Sequence, residues 1–249
     1  MRLTNTAVGI RPRALIPALI TGLILALAVL LPGFTSPIHA QFLHPKITSK
    51  ETTVRTVVVL PAKVNVVRDS MKGPEGMVAE SDELSMRVEK MIAEVLSKQK
   101  NVTTLSPPTP PTSPPDQGGA PENYSVADFQ TKFDDLLPRI MKKRSDVKKG
   151  RFTMGDEVLN LNLDKNTDAI VFIRGEGKKL TSGKTAFTML VGGMPAYLRL
   201  HIGIVDARNG DVLLYTDPIF GGDPTTAVDR LRKAMEKGFK KLPAAAAPH

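Results

Sequence analysis

The sequence predicts a single α/β domain, with a mixed sheet of about five strands and helices packed on it. Short β-branched or apolar runs alternate with longer segments in which apolar residues recur every three or four positions. Asn209-Gly210 separates two apolar runs as a hairpin would, since both residues tolerate positive φ. Of the 249 residues, those after an export-type leader amount to about one domain.

Residues 1–40 have the composition of an export signal. The segment begins with three arginines, which are Arg2, Arg11 and Arg13. Residues 14–31 are then apolar and uncharged, and the small residue Ala40 before Gln41 suits cleavage between these two residues. The apolar run is near the lower length limit for a membrane span, so an uncleaved anchor in the inner membrane is the alternative. Both interpretations place the domain outside the cytoplasm, as a periplasmic or secreted protein.

Composition excludes several classes of function. The chain has no cysteine, which excludes disulfides, thiolate metal sites, a cysteine nucleophile and a lipidated-cysteine anchor. The net charge of +9 falls to +6 without the three leader arginines, and this permits contact with anionic lipid head groups or envelope polymers. Nucleic-acid binding is not expected, because there is no tryptophan and none of the three tyrosines lies in a basic cluster.

The first elements follow an extended lead-in at residues 41–52. Residues 53–60 (TVRTVVVL) form a strand that Pro61 ends, since proline removes a backbone donor. Residues 64–67 either extend that strand or pair with it, and residues 72–76 form a loop. Ser81 then caps an amphipathic helix that reaches Lys100, in which apolar residues recur at helical spacing.

The middle of the chain contains a short strand, a proline-rich insertion and a second helix. Residues 101–105 form the strand, and the insertion at 106–122, with seven prolines, is an exposed loop of polyproline character. Ser125 opens the helix, which Pro138 kinks or ends. The six basic residues between 141 and 151 indicate a charged helix end and loop, with an anion-binding patch as the alternative.

The last third of the chain contains most of the sheet. A short helix is favoured at 155–163, and strands are predicted at 169–173, 185–191, 197–206 and 212–215. In the third of these, leucine and isoleucine alternate with Arg199, His201 and Gly203, so the strand is predicted to be half-buried, with His201 at the surface or an interface. Residues 218–224 break the pattern. The final helix begins at Thr225 or Thr226 and ends at Leu242, before a flexible tail at 243–249.

Gly183-Lys184-Thr185 matches the end of a phosphate-binding loop. In that motif the first glycine lies at a position occupied here by Lys178, and Gly177 is one residue too early. Residues 185–191 also look like a strand rather than the helix that the motif requires. A glycine-rich turn between strands is therefore favoured, and a nucleotide-binding enzyme is the alternative.

No catalytic, cofactor-binding or metal-binding residues are predicted elsewhere. The four histidines, His39, His44, His201 and His249, are dispersed and provide no pair at the spacing of metal ligands. The chain also lacks a Gly-x-Ser-x-Gly elbow. The protein is therefore predicted not to be an enzyme.

Two surfaces are candidates for interaction. The first is an apolar, glycine-rich stretch that would contact a protein partner or a second copy, and it comprises Phe187, Leu190, Val191, Gly192, Gly193, Met194 and Pro195. The second is the basic side of the final helix, which would lie on an anionic membrane surface through Arg230, Lys233, Lys237, Lys240 and Lys241. For this helix, covering one face of the sheet is the favoured role.

Three stretches resemble the α/β domain shared by the TolB amino-terminal domain, the curli-secretion lipoprotein and auxiliary envelope lipoproteins. They are Val57–Pro61 (VVVLP), Asp168–Gly175 (DAIVFIRG) and Leu200–Leu213 (LHIGIVDARNGDVL). The resemblance implies a periplasmic or outer-membrane-associated module that binds partners or assembles with itself, without catalytic residues. The chain departs from that group by lacking the lipid-anchor cysteine and by carrying the proline-rich insertion.

Overall fold

The computed structural model describes residues 40–107, 126–161, 163–181, 184–185, 188, 190, 196–223, 225–226 and 228–245. The strands are β1 (Gln41–Leu43), β2 (Thr56–Val59), β3 (Lys63–Ser70), β4 (Gly73–Gly76), β5 (Thr103–Leu105), β6 (Ala169–Leu180), β7 (Ala196–Asp206), β8 (Val212–Thr216) and β9 (Ile219–Gly221). The helices are α1 (Pro45–Thr48), α2 (Val78–Lys100), α3 (Val126–Lys142) and α4 (Val228–Gly238), with 3₁₀ helices at Arg144–Lys149 and Asp156–Leu161.

Two long antiparallel strands, β6 and β7, form the centre of the sheet. Their register runs from Ala169 opposite Asp206 to Lys179 opposite Ala196. On the outer side of β6, β2 and then β3 pair with it in parallel, β5 adds to β2, and β4 adds to β3. On the outer side of β7, β8 and β9 pair antiparallel, and β1 adds to β8. The predicted mixed α/β sheet is confirmed, with nine strands among the described residues instead of about five.

A proline interrupts each strand that flanks the central pair. Pro61 separates β2 from β3, and Pro218 separates β8 from β9. The pairing nevertheless continues across both breaks, because the Leu60 N–H donates to Val171 O at 3.0 Å and the Leu200 N–H donates to Pro218 O at 3.0 Å. Each flanking strand therefore continues along the same central strand after its proline. Of the two predictions for residues 64–67, extension of the first strand is the one that is confirmed.

Two apolar cores lie on opposite faces of the sheet. The first core packs α2 and α4 against one face, with Val88 and Ile92 of α2 and Met235 of α4 fully buried. The second core packs α3 and both 3₁₀ helices against the other face, where the rings of Phe133 and Phe172 stack at 4.6 Å between centroids. The result is a three-layer arrangement in which the amino-terminal half of β6 is buried on both faces.

Side chains of α2 close the free edge of β3. The N–H groups of Val66 and Val64 donate to the hydroxyls of Ser81 and Ser85 at 2.9 and 3.0 Å, and the Ala62 N–H donates to a Glu89 carboxylate oxygen at 3.2 Å. The match is geometric, since four residues of helix advance about 6 Å and two residues of strand advance about 6.5 Å. Every second backbone N–H along this edge therefore donates to a side chain of α2, and successive acceptors are four residues apart on the helix.

The same contacts correct the predicted start of this helix. Ser81 is not its N-cap: α2 begins at Val78, after Met77, which makes no side-chain capping bond. The Ser81 hydroxyl donates to Met77 O at 2.6 Å while it accepts from β3. The capping preference of serine is thus overridden by the need to satisfy a strand edge.

Several predictions about loops are wrong because pairing with distant strands decided the structure. The lead-in at 41–52 contains β1 and α1, and β1 is a strand because it pairs with β8. The predicted loop at 72–76 contains β4, which folds back on β3. The break at 218–224 contains β9, which pairs with β7.

Two further predictions about element lengths change. Of the two alternatives for Pro138, an end of the helix is wrong, because α3 continues to Lys142 and Ile140 is buried in the second core beyond the proline. The strand predicted at 169–173 is longer than predicted and extends to Leu180 through Gly175 and Gly177. A Cβ at Gly175 would lie 2.8 Å from Leu200 Cδ2, so the glycine allows close packing across the ladder.

Replacement of Ser85 by alanine is expected to lower the free energy of unfolding by about 1–2 kcal/mol, because it leaves the Val64 N–H without its partner. Chemical denaturation of the purified protein measures this. The matched control is Ser97→Ala on the exposed side of the same helix, which is expected to be neutral. Equal stability of the two variants would show that the helix does not support the strand edge.

Replacement of Gly203 by alanine is expected to destabilise the protein by about 1–3 kcal/mol. The added Cβ would lie 2.6 Å from Phe133 Cε2, and that ring cannot retreat because it is stacked on Phe172. Gly76→Ala is the control, since nothing lies within 4 Å of a Cβ at that position. Thermal unfolding of both variants gives the comparison, and an unchanged midpoint for Gly203→Ala would contradict the packing described.

Candidate interaction surfaces

Among the described residues, one end of the sheet has helices packed on a single face only. It consists of β3, the carboxyl half of β6 and the amino half of β7. Val64, Val66 and Leu198 point into the first core, whereas the residues between them alternate to the other side, where Asn65 and Glu176 are exposed. This open sheet face lies beyond α3 and carries several charged side chains, which are Lys63, Asp69, Glu176, Lys178 and Arg199.

Asp69 organises the charges at one corner of the open sheet face. Its carboxylate accepts from the ammonium groups of Lys178 and Lys184 at 2.8 and 2.5 Å. The hydrogen bonds from these two lysines lower the pKa of Asp69 below its usual value. The carboxylate therefore stays ionised at neutral pH, and Lys184 ties the segment after β6 back to β3.

The geometry around Lys184 bears on the predicted phosphate-binding loop. The described residues Lys184, Thr185, Thr188 and Leu190 are helical, so the predicted strand at 185–191 is wrong. The Thr185 N–H donates to Thr181 O at 2.9 Å, a helical bond that local sequence pattern did not indicate. One argument against a phosphate loop is thereby removed, because a helix does follow the lysine. The glycine spacing still departs from the motif, and the ammonium group of Lys184 is engaged by Asp69.

The apolar partner surface predicted at 187–195 is placed only in part. The Leu190 side chain is 85% exposed. The other six residues, Phe187, Val191, Gly192, Gly193, Met194 and Pro195, lie outside the described residues. This surface therefore stays a prediction, to which the structure adds that Leu190 is exposed and in helical conformation.

His201 is buried, and its predicted surface position is wrong. The residue is 6% exposed, and its Nδ1 lies 2.8 Å from the Tyr215 hydroxyl. The strand is covered on its second face because α3 reaches this far: Arg174, opposite His201 in the ladder, pairs with Asp134 of that helix. Periodicity in β7 alone showed one apolar face and could not show that a helix covers the other.

The environment of His201 is unsuited to acid–base chemistry at neutral pH. Burial, followed by the charges of Arg199 and Arg144, lowers the pKa of His201 to about 4. Burial raises the pKa of Tyr215 well above its usual value. General acid–base catalysis requires a group that titrates near the working pH, and neither of these does. Together they form a neutral hydrogen-bonded pair in the second core.

The basic side of α4 is exposed, as the sequence predicts. The guanidinium of Arg230 lies over the Phe220 ring at 5.6 Å, and Arg232 pairs with Glu94 at 2.8 Å. Four further lysines are exposed and have no ion pair among the described residues: Lys233, Lys237, Lys240 and Lys241. The apolar side of the helix is buried in the first core, so α4 covers the sheet, as favoured from the sequence.

Within the described residues, no cluster of three or more histidine, cysteine, aspartate or glutamate side chains is arranged to hold a metal ion. In the same part of the chain, no helix has the length and hydropathy that a membrane crossing requires.

Comparisons with known proteins give only distant structural similarity. No family model matches the chain, and no curated protein matches it. A PelC dodecamer from Paraburkholderia phytofirmans is similar with a TM-score of 0.38 and 12% identity, covering 84% of this chain and 98% of that one. Lipoprotein GNA1162 from Neisseria meningitidis is similar with a TM-score of 0.31 and 11% identity, covering 75% and 96%. Similarity at this level carries no argument about function or assembly.

The lowered pKa of His201 predicts a loss of stability in acid. Between pH 6.5 and about 4 the unfolded chain binds a proton that the folded chain does not, so the free energy of unfolding falls as pH decreases. The loss attributable to His201 is on the order of 3 kcal/mol across that window. In His201→Gln the loss of stability between pH 6.5 and about 4 is expected to be smaller by this amount, measured by denaturation at several pH values. If the pH dependence of stability is the same in the variant and the wild type, burial does not lower the pKa of His201.

Binding of nucleotide through Lys184 is not expected, because its ammonium group is already paired with Asp69. Titration with Mg-ATP is expected to give no affinity that differs between the wild type and Lys184→Ala. Lys142→Ala, at an exposed position on α3, is the control for non-specific charge. Affinity that disappears in Lys184→Ala and remains in the control would establish the nucleotide-binding alternative.

Proposed function

We propose that the protein is an exported, non-enzymatic accessory or scaffold protein of the cell envelope, which binds a protein partner or assembles with itself. The observation that carries the proposal is the open sheet face. Its strands are held firmly from behind by the first core, yet their other side presents charged and polar groups to solvent. A rigid, broad surface of this kind suits docking, whereas catalytic sites are typically concave and enclosed.

The charges of the open sheet face support a protein partner over a small ligand. Arg199 and Glu176 pair across the ladder at 3.4 Å, and Asp69 pairs with two lysines. Interspersed charges of both signs provide specificity and orientation between proteins more than they provide affinity for one small anion. Leu190, which is exposed six residues after Lys184, would add an apolar contact of the kind that a docking surface needs.

The absence of catalysis is part of the proposal and rests on the state of the buried groups. The most plausible base from the sequence, His201, is neutral and bonded to Tyr215 in a closed core. The leader at residues 1–40 supports export, and the lack of cysteine fits a protein that relies on burial and hydrogen bonds in an oxidising compartment.

In-cell photo-crosslinking tests the proposal. A photoreactive residue at Asn65, Glu176 or Leu190 is expected to trap an envelope protein or a second copy of the chain. The matched control is the same substitution at Lys165, an exposed residue outside the open sheet face. Products that form equally at the control position, or protein found only in the cytoplasm with its leader retained, would refute the proposal.

A further inference from the structure

The carboxyl ends of α2 and α4 lie side by side and form one basic surface, defined by Lys98, Lys233, Lys237, Lys240 and Lys241. The two helices are joined here by two contacts. Arg232 of α4 pairs with Glu94 of α2 at 2.8 Å, and the Lys100 ammonium donates to Lys240 O at 3.2 Å. Glu94 also lies 4.0 Å from Lys98, so this carboxylate is neutralised by the cations beside it.

The positive charge exceeds what the helix itself accounts for. Residues 228–242 contain six basic and two acidic side chains. A lysine in the last turn is favoured by the helix dipole, which explains Lys237. Lys233 lies a turn earlier, and Lys240 and Lys241 lie beyond Gly238, where α4 ends. These three cations are exposed and without an ion pair in the described part of the chain.

The apolar side of α4 is not available to a membrane. Leu231, Met235 and Phe239 are each at most 1% exposed, because they pack against the sheet in the first core. Insertion of the helix between lipid head groups would require removing it from the domain. Contact with an anionic surface would therefore use lysine charges alone, and it would weaken as salt screens them.

The residue that follows the predicted leader is fixed beside this surface. The Gln41 side-chain amide donates to Lys237 O at 2.5 Å, and the Lys241 N–H donates to Gln41 Oε1 at 2.6 Å. Gln41 is 7% exposed, so the end of the domain at which the leader joins is held against the last turn of α4. If the leader is retained as an anchor, the chain would therefore leave the bilayer close to the basic surface of the domain.

We propose that the basic surface docks the domain flat on an anionic lipid bilayer, at the point where the leader joins it. The proposal rests on the proposed export of the protein. A bilayer is favoured over a soluble polyanion because the cations are lysines, which act as point charges spread over two helix ends, and because the chain enters at the same place. One membrane signal gives only weak, reversible attachment, and two together give stable attachment.

Lysine acetylation of the full chain reconstituted in lipid vesicles tests this docking. With phosphatidylglycerol in the bilayer, Lys233, Lys237, Lys240 and Lys241 are expected to be protected several-fold compared with vesicles of phosphatidylcholine alone. Lys142 at the end of α3 and Lys143 directly after it are exposed and serve as internal controls that react equally in both. Mass spectrometry measures each site, and high salt is expected to remove the protection.

A matched pair of variants tests the same surface by affinity. After export and release of the leader, replacement of all four lysines by glutamine is expected to weaken binding to phosphatidylglycerol vesicles by on the order of 1,000-fold. If the leader is retained, the quantity compared between the variants is the salt concentration that abolishes protection of lysines from acetylation. The control replaces Arg139, Lys142, Lys143 and Lys165 by glutamine, with the same change of charge at other exposed positions, and is expected to retain more of its affinity.

Three results would overturn the docking proposal. They are equal reactivity of the four lysines in both kinds of vesicle, equal loss of affinity in the two variants, and protection by soluble polyphosphate that matches protection by vesicles. The last would assign the surface to a soluble polyanion. None of them alters export or crosslinking at the open sheet face, so failure of this inference is distinguishable from failure of the proposed function.

Discussion

The ladder between β6 and β7 is the interaction on which the rest of the structure depends. It is the longest pairing among the described residues, and every other strand joins the sheet through one of these two or through a neighbour of theirs. Because β6 connects to parallel strands on one side and β7 to antiparallel strands on the other, the pair also decides that the sheet is mixed. The half of the ladder that contains the amino-terminal part of β6 is buried by two cores. Among the described residues, the other half is buried by the first core alone.

This difference between the two halves separates stability from interaction. Where helices cover both faces, stacked aromatic rings and a neutral histidine–tyrosine pair fill the interior. Where only the first core supports the strands, the other side is free to carry charges such as those of Asp69 and Arg199. Because the first core alone stabilises these strands, polar and charged side chains on the opposite face do not weaken the packing of the sheet.

Side chains satisfy or contact part of the sheet edge. Prolines interrupt the flanking strands, the serines of α2 satisfy the edge of β3, and Gln41 joins β1 to the end of α4. Unpaired strand edges favour association with other chains, so these contacts restrict where such association could occur. The two surfaces proposed for binding, the open sheet face and the basic surface, would use side chains instead of the backbone groups of strand edges.

The sequence by itself determined the class of the fold and its strongest elements. Helical spacing in α2, the apolar run of β6 and the Asn209-Gly210 hairpin were sufficient, because periodicity and turn chemistry are local properties. It also located the basic side of α4. The tertiary structure alone decided the burial of His201, the strand state of β1, β4 and β9, and the role of Ser81, because each depends on a partner distant in sequence. It likewise decided the helical state of Lys184 and the proximity of Gln41 to α4, for which no local pattern exists.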